Sequence, residues 1–107
     1  MDDRRRFERV TLPDWAKVYV TDAKGKKLGP VRVLARGGML VETGDMEELT
    51  HHSLTLVDES EGISREVKAV VRSSSAVGVG FEFDGLDADA AVEVGVLIGK
   101  YYSATSR

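Results

Sequence analysis

Four arginines within six positions form the most distinctive chemical feature of the sequence. They are Arg4, Arg5, Arg6 and Arg9, and they precede the first apolar segment. Guanidinium groups present planar forks of N–H donors that match phosphate oxygens and the O6/N7 edge of guanine, and they also stack on purines. Acidic residues lie beside these arginines in the sequence, so the cluster indicates either an anion-binding arm or an arm that is solvated and paired with its own acids.

Two other groups of residues could carry chemistry. His51 and His52 stand among acidic residues, but adjacent residues of a strand point in opposite directions, which makes them a poor pair of metal ligands. We predict that this pair lies in a solvated loop. Residues 73–75 are serines without a histidine base and an orienting acid that the sequence can place beside them. They are predicted to lie in a loop, and no metal site is expected.

The Gly-Val-Gly segment at residues 78–80 does not have the setting of a phosphate-binding loop. It leads into a predicted strand and not into a helix N-terminus, where backbone N–H groups would point at an anion. We interpret the two glycines as bend residues. The chain contains no Walker or dinucleotide-binding motif either. These observations predict a protein that is not an enzyme and has no cofactor.

Length, charge and cysteine content narrow the class of protein. A chain of 107 residues with 42% apolar residues is predicted to fold as one domain. It has no cysteine, which excludes disulfides and thiolate sites. The net charge of −3 argues against a nucleic-acid binder. The sequence shows no secretory signal and no membrane span, so we expect a soluble, cytoplasmic protein.

Short segments of alternating apolar and polar residues dominate the sequence up to residue 86. This alternation and the turn residues between the segments predict six strands, at residues 15–21, 31–34, 39–42, 53–57, 66–72 and 79–83. Six short strands at this spacing favour an antiparallel barrel or a closed sandwich over parallel βαβ units.

Residues 87–102 are predicted to form a C-terminal helix. Asp87 is a suitable N-cap, and Lys100 near the predicted end complements the helix dipole. An apolar stripe with the 3.6-residue period is predicted to pack on the barrel or on a partner. Its members are Ala91, Val94, Leu97 or Ile98, and Tyr101.

Gly95 and Gly99 form a G-x-x-x-G pattern inside this helix. Each glycine costs about 1 kcal/mol relative to alanine in a helix, so we expect another element to approach closely there. That element is either the barrel of the same chain or the helix of a second copy, which leaves a monomer and a weak dimer both open.

Several features together resemble the PilZ domain family along nearly the whole chain. They are the segment RRRFERV before the first strand, a glycine turn near residue 38, the segment VGVGFEF and the closing helix. The resemblance implies a mainly β fold, a small six-stranded antiparallel β-barrel with a C-terminal α-helix. The whole chain, residues 1–107, is then one domain with a basic arm at 1–12, the barrel at 13–86 and the helix at 87–102.

Family members that bind cyclic di-GMP do so with two motifs. The first, R-x-x-x-R before the barrel, is matched by Arg5 and Arg9 with Arg6 beside them. The resemblance therefore implies that these three arginines bind the ligand.

The second motif, [D/N]-x-S-x-x-G, is degenerate in this sequence. When its last glycine is aligned to Gly38, Val33 stands where Asp or Asn belongs and Ala35 where Ser belongs. Arg36 lies close by in the sequence and is predicted to add attraction for phosphate, though not recognition of the base.

Two functions follow from the resemblance. One is a stand-alone bacterial signalling module of motility or biofilm regulation. It would bind cyclic di-GMP as a regulatory ligand, order its arginine arm over the nucleotide and so regulate a partner protein. The other is an adaptor that does not bind the nucleotide and acts only through protein contacts.

Overall fold

The computed structural model describes residues 9–105, with side chains up to residue 102. This part of the chain contains a run of strands followed by one helix. The elements are β1 (Arg9–Thr11), β2 (Val18–Thr21), β3 (Lys27–Ala35), β4 (Gly38–Val41), β5 (His51–Asp58), β6 (Ile63–Ser75), β7 (Gly78–Phe83) and α1 (Ala88–Thr105).

Six of the strands close into an antiparallel barrel. Around the barrel the order is β3-β2-β5-β6-β7-β4, and β4 pairs with β3 again to complete the ring. The short strand β1 pairs with the C-terminal part of β3, from Arg9 opposite Ala35 to Thr11 opposite Val33. The predicted six-stranded antiparallel barrel with a C-terminal helix is confirmed, and β1 is an addition to it.

The core consists of the inward-facing residues of these strands and one face of the helix. On β7 the predicted alternation holds, since Val79 and Phe81 are buried. The helix contributes its own apolar stripe, which packs with the barrel residues in one cluster. Its buried members are Ala90, Val94, Leu97, Ile98 and Tyr101. Ala91 was predicted for this stripe, but it is exposed and Ala90 takes its place.

Two predicted boundaries near the N-terminal end are wrong. The arm was predicted to extend to residue 12, but Arg9–Thr11 form β1. Trp15 was predicted to begin the first barrel strand, but it lies in a turn before β2. Its ring is 5.8 Å from the ring of Tyr101, centroid to centroid. Pairing of residues 9–11 with β3 and the contact of Trp15 with the helix are long-range features that the local alternation does not contain.

Two segments predicted as loops are parts of strands. His51 and His52 are the first residues of β5 and pair with Val70 and Ala69 of β6. The serines at 73–75 are the end of β6, where they pair with residues 78–80 of β7 after a register shift. Long neighbouring strands extend the ladder into polar sequence, because each added residue satisfies backbone hydrogen-bonding groups.

The helix begins as predicted. The Ala90 amide donates a hydrogen bond to Oδ1 of Asp87 at 2.8 Å, which makes Asp87 the N-cap. The helix continues to Thr105, so Lys100 is not in its last turn. Within residues 9–105, no helix has the length and apolar character that crossing a bilayer would require.

Candidate functional site

A pocket of about 460 Å³ lies where β1, β3, β4 and β7 meet. It is lined by Arg9, Val33, Ala35, Gly37, Gly38, Met39, Leu40 and Phe81. Four of the residues singled out in the sequence are thereby brought together, although they come from three separate strands. The antiparallel register explains this, because Arg9 lies opposite Ala35 and Ala35 lies opposite Gly38.

Arg9 is the cationic residue among the described residues that line this pocket. It is the first residue of β1, and its side chain is exposed. No hydrogen bond or ion pair joins that side chain to another residue in the described part of the chain. An exposed guanidinium without a protein acid against it keeps its donors free for an anionic ligand.

Val33 and Ala35 present aliphatic side chains to the pocket. Both are half-buried on β3, whereas Leu34 between them is fully buried in the core. They therefore face outward on the same side of the strand, as residues two apart must. Val33 does not point into the barrel, so the wall of the pocket next to Arg9 is apolar at two positions.

Gly38 allows β4 to approach β7 closely at the edge of the pocket. A Cβ atom at this position would lie inside the contact distance of the Phe81 carbonyl oxygen. Any other residue would push the two strands apart, because the obstructing atom belongs to the backbone. The close approach of the two strands thus explains why position 38, at the end of the predicted second motif, is a glycine.

Arg36 does not line the pocket. It lies in the turn between β3 and β4, and its Nη1 atom is 3.5 Å from the place where a Cβ on Gly95 would be. Its side chain therefore reaches across to α1. Gly99 has no atom within 4 Å of the equivalent place, so of the two predicted alternatives, close packing against the barrel is wrong for Gly99.

Comparison with known proteins gives the family. The family model described as PilZ domain matches residues 3–99. The chain belongs to the PilZ family. A crystal structure of an uncharacterised Legionella protein has a similar fold, with a TM-score of 0.65 and 9% sequence identity over 92% of this chain and 98% of that one. No functionally curated protein matches the chain significantly in sequence.

The residues that the resemblance assigns to the two PilZ motifs lie as follows. Arg9, the second arginine of R-x-x-x-R, stands at the rim of the pocket, while Arg5 and Arg6 lie outside the described residues. Val33, Ala35 and Gly38 of the degenerate second motif all line it. The arrangement supplies charge for an anion at one side and apolar contact at the other.

The histidines of this PilZ domain lie on a different part of the barrel. Nδ1 of the exposed His51 is 3.6 Å from Oδ2 of Asp84. Nε2 of His52 is 2.8 Å from the hydroxyl of Thr50. In the part of the chain that the structure describes, no three His, Asp or Glu side chains are grouped as a metal site would need.

Sequence reasoning missed a buried carboxylate at the opposite end of β5. Asp58 is completely buried and accepts hydrogen bonds from the Ser60 hydroxyl at 2.6 Å, from Nζ of Lys100 at 3.2 Å and from the Tyr101 hydroxyl at 3.0 Å. The last two donors belong to α1, so the carboxylate ties the helix to the barrel. An aspartate that ends a strand and precedes Glu-Ser in a turn carries no signal of burial in the sequence.

This network shifts the pKa values of its members. Burial by itself raises the pKa of Asp58, but the hydrogen bonds from Ser60, Lys100 and Tyr101 together lower it below the ordinary carboxyl value. Burial alone would lower the pKa of Lys100, yet its bonds to Glu61, Tyr101 and Asp58 raise it above the ordinary value. Both groups are therefore charged at neutral pH, and the pair is structural.

Proposed function

We propose that this PilZ domain is a cytoplasmic signalling module that receives cyclic di-GMP at the Arg9 pocket. Binding would order the arginine arm, which includes Arg4 to Arg9, over the ligand and change the surface that the domain offers to a partner protein. The observation that carries the proposal is an exposed Arg9, unpaired among the described residues, which lines the same pocket of about 460 Å³ as Gly38. Ligand sites commonly have volumes of roughly 300–1,000 Å³.

Phosphate attraction supports this ligand. Cyclic di-GMP carries two phosphodiester anions, and arginine binds phosphate oxygens through two parallel N–H donors. Arg9 supplies one such fork at the pocket rim. Arg5 and Arg6 of the first motif would supply more from the arm.

Recognition of the guanine base has weaker support. Val33 and Ala35 cannot accept or donate the hydrogen bonds that Asp or Asn and Ser would make. One good pair of such contacts contributes about 1–3 kcal/mol of discrimination. Its loss corresponds to an affinity roughly 10- to 100-fold lower than that of a pocket with both motifs. We therefore expect binding in the micromolar range.

The second candidate function is an adaptor that acts only through protein contacts. The two aliphatic side chains at positions 33 and 35 favour it, because they would leave the hydrogen-bonding edge of guanine unpaired against an apolar wall. In that case the pocket would accept an apolar side chain of a partner protein. Both candidates are binding modules without catalysis.

Titration calorimetry with cyclic di-GMP, and GTP as the control ligand, distinguishes the two functions. Saturable micromolar binding supports the receptor. Arg9→Ala should then weaken binding at least 10-fold, while Lys24→Ala, which removes an exposed cation from the hairpin between β2 and β3, should leave it unchanged. No heat of binding at millimolar ligand would reject the receptor and favour the adaptor. Equal losses of affinity in both variants would indicate that the ligand is attracted only by the net charge of the protein.

A further inference from the structure

The outer face of α1 exposes two large apolar side chains. Val92 is 63% exposed and Val96 is 52% exposed, although both belong to a helix whose opposite face is buried in the core. Val94 and Leu97, their neighbours in sequence, are completely or almost completely buried. The helix is therefore apolar on two sides, and the barrel covers only one of them. A surface helix normally carries polar residues on its second side.

The exposed face also contains both helix glycines in a regular pattern. Val92, Gly95, Val96 and Gly99 are spaced three, one and three residues apart, so they lie along one stripe of the helix. From the N-terminal to the C-terminal end of the helix, the residues of the stripe are valine, glycine, valine and glycine. In the reverse direction the order is glycine, valine, glycine and valine. Two copies of the stripe that run antiparallel therefore place a valine of one helix opposite a glycine of the other at every position.

The space for such a contact is open at Gly99 and is bordered at Gly95 by one mobile-ended side chain. Nothing lies within 4 Å of a Cβ built on Gly99, and the nearest side chain to Gly95 is the flexible end of Arg36. The stripe itself carries no charged residue. Val92 of one copy can thus pack on the bare backbone at Gly99 of the other. Val96 can pack on Gly95 once the end of the Arg36 side chain has moved aside, about a twofold axis midway between residues 95 and 96.

We propose that the domain forms a weak antiparallel dimer through this face of α1, with each valine seated on a glycine of the second copy. Absence of Cβ atoms at two positions lets the helix axes approach to about 8 Å, the lower end of the usual range. A twofold arrangement is self-complementary, so one surface patch serves both copies. This inference does not depend on the nucleotide site, and it concerns the protein without ligand.

The size of the face sets the strength of the dimer. From Val92 to Gly99 the stripe is only about 10 Å long at 1.5 Å per residue, and one helix face buries much less than the about 800 Å² per partner of a standard interface. The two Arg36 side chains also approach each other near the twofold axis. We therefore expect a dissociation constant on the order of 10 µM or higher.

Sedimentation equilibrium of the full chain without nucleotide, at concentrations up to about 50-fold above this constant, tests the association. Val92→Glu should raise the dissociation constant at least 10-fold, because each dimer would bury the charge twice. Val77→Glu is the matched control, since Val77 is 68% exposed in the β6–β7 turn, and it should associate as the unchanged protein does. A monomer at all concentrations, or equal loss in both variants, would overturn the proposal.

Disulfide cross-linking tests the register, because the chain has no cysteine of its own. In the antiparallel dimer, residue 92 of one copy faces residue 99 of the other, while the two residues 92 stand about 10 Å apart along the helix. An oxidised mixture of the Val92→Cys and Gly99→Cys variants should therefore form mostly the mixed dimer, as disulfides need Cα atoms within about 7 Å. Faster cross-linking of Val92→Cys with itself would reject the antiparallel register. Melting curves of each variant confirm the fold.

Discussion

The Tyr101 hydroxyl donates a hydrogen bond to the Asp58 carboxylate at 3.0 Å, and both side chains are completely buried. One residue ends β5 and the other lies in the C-terminal half of α1. The bond therefore joins the helix to the barrel at the point where Lys100 also reaches the carboxylate. Among the side-chain hydrogen bonds of the described part of the chain, it is the one whose two partners are both fully buried.

Tyr101→Phe should destabilise the domain by about 1.5–3 kcal/mol, because it removes a hydrogen bond to a buried charge and puts no new donor in its place. Urea unfolding of both proteins at pH 7 measures the difference. Tyr19→Phe is the matched control, since the Tyr19 hydroxyl donates to Glu59 at 3.2 Å at the surface. Its effect should be much smaller than that of Tyr101→Phe, because solvent screens and replaces a surface hydrogen bond. Equal effects in both variants would contradict a structural role for the buried bond.

Asp58 should also make stability depend on acid pH. Its pKa is lowered in the folded protein, so between the folded pKa and the ordinary value of about 3.9 the unfolded chain binds more protons than the folded one. The stability from Asp58 is fully present above that ordinary value and is lost as pH falls through the folded pKa.

Free energies of unfolding of the unchanged protein and of Asp58→Asn, measured from pH 6 to pH 2.5, isolate this contribution. The unchanged protein should lose its advantage over the variant as the pH falls below about 4. The pKa of Asp22 is also lowered, by a backbone hydrogen bond from Lys26. Asp22 contributes the same pH dependence of stability to both proteins, so its contribution cancels in the difference. A constant difference across the range would show that Asp58 does not titrate in this way.

Alanine substitutions at Gly38 and at Gly99 should change the stability of the domain in opposite directions. Gly38→Ala forces a methyl group against the Phe81 carbonyl oxygen and should destabilise the domain by about 1–3 kcal/mol or prevent folding. Gly99→Ala adds a methyl group in open space and should stabilise the helix by up to about 1 kcal/mol. Thermal melting at low micromolar concentration measures both, below the range where the proposed dimer forms. A loss of stability in Gly99→Ala would reveal a close neighbour at this position.

Local pattern predicted the barrel strands and the N-cap at Asp87, because alternation and capping are properties of neighbouring residues. It did not predict Asp58 as a buried residue, since burial there depends on donors that arrive from the helix more than forty residues later. The position of Trp15 was not predicted either, because its contact with the Tyr101 ring also depends on the distant helix. At the pocket, family resemblance aligned Val33, Ala35 and Gly38, and only the barrel register showed that they share a wall with Arg9.

The degenerate motif provides a gain-of-function experiment on the receptor proposal. Val33→Asn combined with Ala35→Ser puts an amide and a hydroxyl back on the wall of the pocket. Both side chains face outward and are only half-buried, so the double variant should fold and melt within a few degrees of the unchanged protein. The new polar groups should restore contacts to guanine worth about 1–3 kcal/mol. We expect cyclic di-GMP to bind about 10-fold more tightly or better.

The gain in affinity of the double variant should require Arg9. Hydrogen bonds to the base can strengthen binding only when the phosphates of the ligand are already held in the pocket. The same two substitutions in an Arg9→Ala background should therefore bind no better than Arg9→Ala alone. Val33→Asp is a useful comparison for Val33→Asn, since a carboxylate diagonally across the ladder from Arg9 can pair with the guanidinium and compete with phosphate for it. The aspartate version should then gain less affinity than the asparagine version. A folded Val33→Asn, Ala35→Ser protein with unchanged affinity would mean that this wall does not meet the base.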